Sequence, residues 1–164
     1  MLHRTLFAPL GNPLMTTDLL VRYLHFLGIF VVFAALLGQH LLLKSSVPRA
    51  FVAKAQRFDL AYLIAVVVVI ATGLLQWFSG AKPAAFYTPN PVFHAKVTLF
   101  LVVAIVSIYP TVFMRKEKNG DPDEVVAIPR GIVHCVRLEL LLLVVIPLLA
   151  VIMARGLGIP IEKP

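Results

Sequence analysis

Charge is what this chain has least of. Only 14% of its 164 residues are Asp, Glu, Lys or Arg, where a soluble domain carries about a quarter. Hydrophobic residues make up 60% and the mean hydropathy is +0.92, so composition points to a membrane protein. Cysteine is nearly absent as well. Cys135 stands alone, which excludes an internal disulfide and any CxxC metal or redox motif. The four methionines form no cluster, which argues against copper storage. No carboxylate pair, nucleophile–base set, Gly-rich phosphate loop or HExxH motif occurs. Basic residues outnumber acidic ones, 15 to 8, but they are not interleaved with aromatics. Nucleic acid is therefore not an expected partner, and the positive charge reports topology and contact with anionic lipid.

What the chain has in abundance is long apolar runs. A membrane-spanning helix needs roughly 20 mainly apolar residues, and four runs meet that need, at about 19–43, 60–78, 92–113 and 138–154. The fold class expected is all-α, a four-helix transmembrane bundle forming a single integral membrane domain over 1–164. The first run is too long for the apolar core of a signal peptide and no small-residue cleavage site follows it. Pro147 falls inside the fourth run and is expected to kink it. The loop "RKEKNGDPDEVVAIPRG" reads as a solvated turn region. Its Asp121, Asp123 and Glu124 lack the glycine and terminal glutamate placement of an EF-hand.

Charge in the connections sets orientation. Lys44, Arg49, Lys54 and Arg57 lie between the first two runs, and Arg115, Lys116, Lys118, Arg130 and Arg137 between the last two. The opposite face offers fewer: Lys82 in the middle connection, Arg4 and Lys163 near the termini, and Arg22 and Arg155 near span ends. The positive-inside rule then places both termini outside the cytoplasm, N-out and C-out.

Ionisable groups inside such spans are costly and default to a functional hypothesis. They fall on two levels. The outer level holds His25 on the first span and His94 with Lys96 on the third, in "NPVFHAKVTLFLVV". His25 comes about 9 Å into its span at 1.5 Å per residue. His94 and Lys96 lie near the start of theirs, at similar depth. Residues two apart on a helix point roughly 200° apart, so His94 and Lys96 cannot both face His25. Three readings stay open: His25 and one of the pair as axial ligands of a heme, a proton or ion pathway, or structural hydrogen bonding and snorkelling. Arg22 shares the face of His25, three residues nearer the outside, placed to pair with a heme propionate. The inner level holds His40 with Gln39 on the first span, His134 and Arg137 at the mouth of the fourth, and Glu139 inside it. An ion pair joining Glu139 to Arg57 or Arg137 is one expectation there, and a second cofactor between His40 and His134 another.

"YLHFLGIFVVFAALL" and "FHAKVTLFLVV" together resemble the HemJ-type membrane protoporphyrinogen oxidases. The resemblance covers two short motifs and implies a bundle binding heme b, with His25 matching the first-helix histidine and Lys96 the lysine of a His-x-Lys motif that includes His94. The first helix lacks the tryptophan usual in that family. "AKPAAFYTPNPVFHAK" is similar, over nearly the whole chain, to a bacterial family of predicted membrane proteins of unknown function. The expectation is a multi-pass protein of a bacterial inner membrane that binds heme b. Its iron ligands would be His25 with either Lys96 or His94. Redox chemistry would be linked to a quinone or a tetrapyrrole, and a homo-oligomer is compatible with this. The competing expectation is a non-enzymatic membrane protein without heme, a proton or small-solute pathway or an assembly partner. Orientation is testable at once. A reporter enzyme active only outside the cytoplasm should work when inserted after Tyr87 and fail after Lys118; the reverse pattern would overturn the N-out arrangement.

Overall fold

The computed structural model describes residues 13–80 and 83–155. Arg4, Lys82 and Lys163, part of the charge count, lie outside the described residues. In chain order the elements are α1 (Pro13–Leu42), β1 (Ser46–Pro48), α2 (Arg49–Ser79), α3 (Ala84–Tyr87), α4 (Pro91–Val106), α5 (Ile108–Glu117), β2 (Val125–Ala127) and α6 (Arg130–Ala154). Four helical spans are long and apolar enough to cross a membrane, with α4 and α5 forming the third together. The fold is a four-helix transmembrane bundle.

Prolines mark several boundaries. Pro48 and Pro129 precede α2 and α6, and Pro91 occupies the first position of α4, where its missing N–H costs nothing. The Asn90 side chain accepts from the Val92 N–H at 2.9 Å and caps that helix. The third span breaks at Ser107, between α4 and α5. Pro110 explains this, because it has no N–H to offer the Val106 carbonyl one turn back. In the fourth span α6 runs on through Pro147 without interruption. The helices also begin earlier than hydropathy suggests. α1 starts at Pro13 rather than about 19, α2 at Arg49 rather than about 60, and α6 at Arg130 rather than about 138. Arg49 and Arg130 open α2 and α6, and Thr16, Thr17 and Asp18 lie early in α1, which lowers the hydropathy there without disfavouring the helix.

The surface is apolar and the interior partly polar, the reverse of a soluble protein. Phe26, Phe30, Ile64, Val67, Leu141 and Val144 are exposed, while Gln39, Asp59, Thr72 and Glu139 are buried. Lipid accepts the former and rejects the latter. α1 packs along α2, α6 packs on α4 and α1, and α5 packs on α2. Val32, Leu36, Val66, Val69, Val103 and Ile146 fill the middle of the bundle. A second cluster with Leu43, Val52, Met114 and Ile132 seats the ribbon of β1 and β2 on the inner end. The strands pair antiparallel, with Val47 opposite Val126. Arg49 clasps this end, reaching the Glu117 carbonyl at 2.7 Å and the Glu124 carboxylate at 2.7 Å. Gly120, at φ +136°, leaves that guanidinium room, since a Cβ there would stand 2.8 Å from Arg49 Nε.

Two glycines set the approach of α1 to α2. A Cβ on Gly28 would lie 2.8 Å from Val69 Cγ2, and one on Gly38 would lie 2.9 Å from the Phe58 ring. Close backbone approach through small residues is what holds membrane helices together where no hydrophobic driving force exists between them. Gly28→Leu should therefore destabilise the bundle by about 1–3 kcal/mol, read as a lower unfolding midpoint in detergent. An unchanged midpoint would show that α1 and α2 do not depend on this contact.

Candidate functional site

The outer level is built on α2. His25 Nδ1 lies 2.9 Å from Thr72 Oγ1, and the ring rests beside Gly73, where a Cβ would come within 3.4 Å of His25 Cε1. The Thr72 hydroxyl has one proton, and the Val68 carbonyl sits 2.6 Å from it. That carbonyl can only accept, so the hydroxyl donates to it and must accept from His25. The Val69 carbonyl beside the ring is a further acceptor. Nδ1 is consequently the protonated nitrogen, and Nε2 keeps a free lone pair. A histidine oriented through Nδ1–H in this way is the arrangement that metal-binding histidines adopt.

Lys96 and His94 part company, as two residues two apart on a helix must. His94 is exposed and its Nε2 donates to the Thr88 carbonyl at 2.7 Å, which ties it to the outer loop. Lys96 is half-buried, with its ammonium 5.5 Å from the Phe93 ring centroid and its charge within reach of His25. Among the described residues it forms no ion pair. The structure thus brings Lys96, and not His94, toward His25. Arg22 pairs with Asp18 at 2.8 Å, four residues back on α1. An aromatic group closes this end: Trp77 stacks on Phe78 at 4.7 Å and meets Phe93 edge-on at 4.8 Å. Such rings belong at the membrane interface.

The inner level holds a cluster that the spacing of the sequence does not announce. Gln39 of α1, Asp59 and Tyr62 of α2, and Glu139 of α6 are each at most 1% exposed. The Thr111 hydroxyl of α5 donates to Asp59 Oδ1 at 2.7 Å, and the Gln39 amide faces the same carboxylate. Asp59 and Glu139 are close enough to interact as charges, and both reach Tyr62. Asp59 Oδ2, the Tyr62 hydroxyl, the Gln39 amide nitrogen and both oxygens of Glu139 make no well-formed hydrogen bond. A carboxylate pair is therefore present after all, assembled from residues eighty apart in the chain. A span drawn from Leu60 leaves Asp59 outside the membrane. The available signal was the common level of Asp59, Thr111 and Glu139 just outward of Arg57, Arg115 and Arg137.

The expected inner ion pair does not form. Arg57 and Arg137 are exposed, and Glu139 pairs with neither, because the helix turns each arginine toward solvent while Glu139 points into the bundle. His40 is half-buried with Nδ1 unpartnered. It lines a cavity of about 530 Å³ with Lys44, Arg130, His134 and Arg137. The two inner histidines do share a site, but among the described residues no group of three or more His, Cys, Asp or Glu side chains is arranged to hold a metal ion.

A family model described as a predicted membrane protein (DUF2214) matches residues 17–158. The chain belongs to this family. The match takes in all four spans of the DUF2214 chain and both polar levels. No curated protein and no solved structure matches it. Of the DUF2214 chain's polar contacts, the one most open to a direct check is Thr111 to Asp59. Thr111→Val should cost about 1–3 kcal/mol by leaving a buried carboxylate oxygen without its donor, seen as a lower unfolding midpoint. A midpoint at or above wild type would mean that the carboxylate does not need the hydroxyl.

Proposed function

We propose that this DUF2214 protein binds a b-type heme near the outer face of a bacterial inner membrane, and that His25, through Nε2, and Lys96, through its amine, would hold its iron. The observation that carries the reading is the hydrogen-bonded relay from His25 Nδ1 through the Thr72 hydroxyl to the Val68 carbonyl. It leaves one imidazole lone pair free on a half-buried ring at a fixed orientation. Lys96 supplies a second nitrogen from another helix, with no carboxylate among the described residues holding its charge. The two-motif resemblance to the HemJ-type oxidases, which pair a first-helix histidine with a third-helix lysine, supports the same assignment. Arg22 remains available for a propionate only if it gives up Asp18.

A heme held here would supply one-electron chemistry, with a quinone or tetrapyrrole as the redox partner and the protein tuning its potential through the ligands and their hydrogen bonds. The termini would face outward, which puts the site toward the outer leaflet. A continuous proton or small-solute pathway is the competing reading. It fits less well, because the apolar layer of Val32, Leu36, Val66, Val69 and Val103 separates the two polar levels. About 15 Å of helix lies between Thr72 and Tyr62.

Absorption spectra of the detergent-purified protein, expressed with added heme, decide the matter. Wild type should show a Soret band and sharp reduced α and β bands. His25→Ala should lose them and Lys96→Ala should lose the low-spin pattern, while His94→Ala leaves both unchanged. Thr72→Val should weaken heme retention by removing the acceptor that orients the ring, on the order of 10- to 100-fold. A colourless wild-type protein would sink the heme reading.

A further inference from the structure

The inner polar level calls for an account of its charge. Asp59 lies two residues beyond Arg57 on α2, Glu139 two residues beyond Arg137 on α6, and Thr111 four residues before Arg115 on α5. The cluster thus sits just outward of an arginine belt, at the inner edge of the hydrocarbon layer. Each of the four spans contributes to it. α1 presents Gln39; α2 presents Asp59 and Tyr62; the third span presents Ser107 at its break and Thr111 one turn beyond; and α6 presents Glu139, with Cys135 one turn below and within its electrostatic reach. Ser107 spends its hydroxyl proton on the Ala104 carbonyl at 2.8 Å. The Thr111 hydroxyl proton goes to Asp59.

Two like charges near each other in a medium of low dielectric repel strongly. Asp59 has compensation: a donated hydrogen bond from Thr111, the facing amide of Gln39 and the charge of Arg115. Glu139 has none. Both of its oxygens are buried without a partner, and its whole residue is 0% exposed. The groups within its electrostatic reach include an anion, a phenol and a thiol. A bare carboxylate in that position is costly beyond what the bundle offers in return. A single proton resolves the cost. On Glu139 it converts an unpaired anion into a neutral acid whose O–H can donate to the unfilled Asp59 Oδ2 or to the Tyr62 oxygen. The pair then carries one negative charge, which the arginine belt balances.

We propose that Asp59 and Glu139 form a membrane-buried acid–carboxylate pair holding one exchangeable proton, carried on Glu139 and shared with Asp59 and Tyr62. The ligand assigned to this inner level is a proton: among the described residues no three His, Cys, Asp or Glu side chains are arranged to hold a metal ion. The site is independent of the outer one. The apolar layer between them lets either exist without the other.

Infrared spectroscopy of the full-length protein in lipid nanodiscs tests this directly. At neutral pH the wild type should show the carbonyl stretch of a protonated carboxylic acid, shifted to lower frequency in D2O. That band should be lost in Glu139→Gln and kept in Asp123→Asn, a control in the inner loop. Should Glu139→Gln not fold, Tyr62→Phe keeps the ring and removes a hydroxyl that faces the pair, so the band should move. The proposal is overturned by any of three results: no such band in the wild type, a band that survives Glu139→Gln or stays put in Tyr62→Phe, or a band that appears only when sodium and potassium are withdrawn. The last would assign the site to a metal cation. A heme-free protein that keeps the band would separate the fate of this proposal from that of the outer site.

Discussion

Close packing of α1 on α2 is the contact on which both polar levels depend. Gly28 meets Val69, Gly38 meets Phe58, and residue numbers fall on α2 as they rise on α1, as antiparallel helices in one register require. The same register sets His25 over Thr72 and Gly73 at the outer end, and Gln39 against Asp59 at the inner end. Lipid offers no hydrogen bonds, so a polar side chain on one helix is best satisfied by a partner on the other. Two glycines without side chains make that approach close enough. The outer histidine and the inner aspartate are thereby positioned by one and the same interface.

The remaining spans complete these levels. The third span contributes at both ends because Pro110 divides it: α4 carries Lys96 toward His25, while α5 brings Thr111 onto Asp59. A helix without that break would have a single axis over its length and less freedom to serve two sites on different neighbours. α6 closes the bundle and supplies Glu139, the least compensated group within it. Beneath them, the ribbon of β1 and β2 and the Arg49 clasp tie the two inner connections together. That link joins loops far apart in the chain and restrains this end of the bundle.

The two levels differ in kind. At the outer one every hydrogen bond around His25 has a direction that the carbonyl of Val68 imposes, and the outcome is a lone pair left free at a known atom. At the inner one the groups are acids and hydroxyls with more acceptors than donors, and the outcome is a shortage of protons. One arrangement leaves a nitrogen lone pair to offer, and the other leaves acceptor oxygens without a donor. An apolar layer keeps them apart, so nothing in the packing requires the two chemistries to be coupled.

Hydropathy alone was enough to reveal four spans and their approximate centres, because lipid imposes a length and a polarity on any helix that crosses it. The opposed directions of His94 and Lys96 were equally legible, since helix pitch is the same in every context. Which of the two turns toward His25 was not. That depends on how α4 rotates against its neighbours, and only packing decides it. The tautomer of His25 needed the position of Thr72 on another helix. Asp59 was hidden by its basic neighbours, which lower the local hydropathy and make a buried residue read as part of a connection. Its pairing with Glu139, eighty residues later, exists only once α2, α5 and α6 are assembled. Local sequence carries period and polarity, but the charge balance of a buried site is a property of side chains from different helices, and tertiary structure alone determines which of them meet.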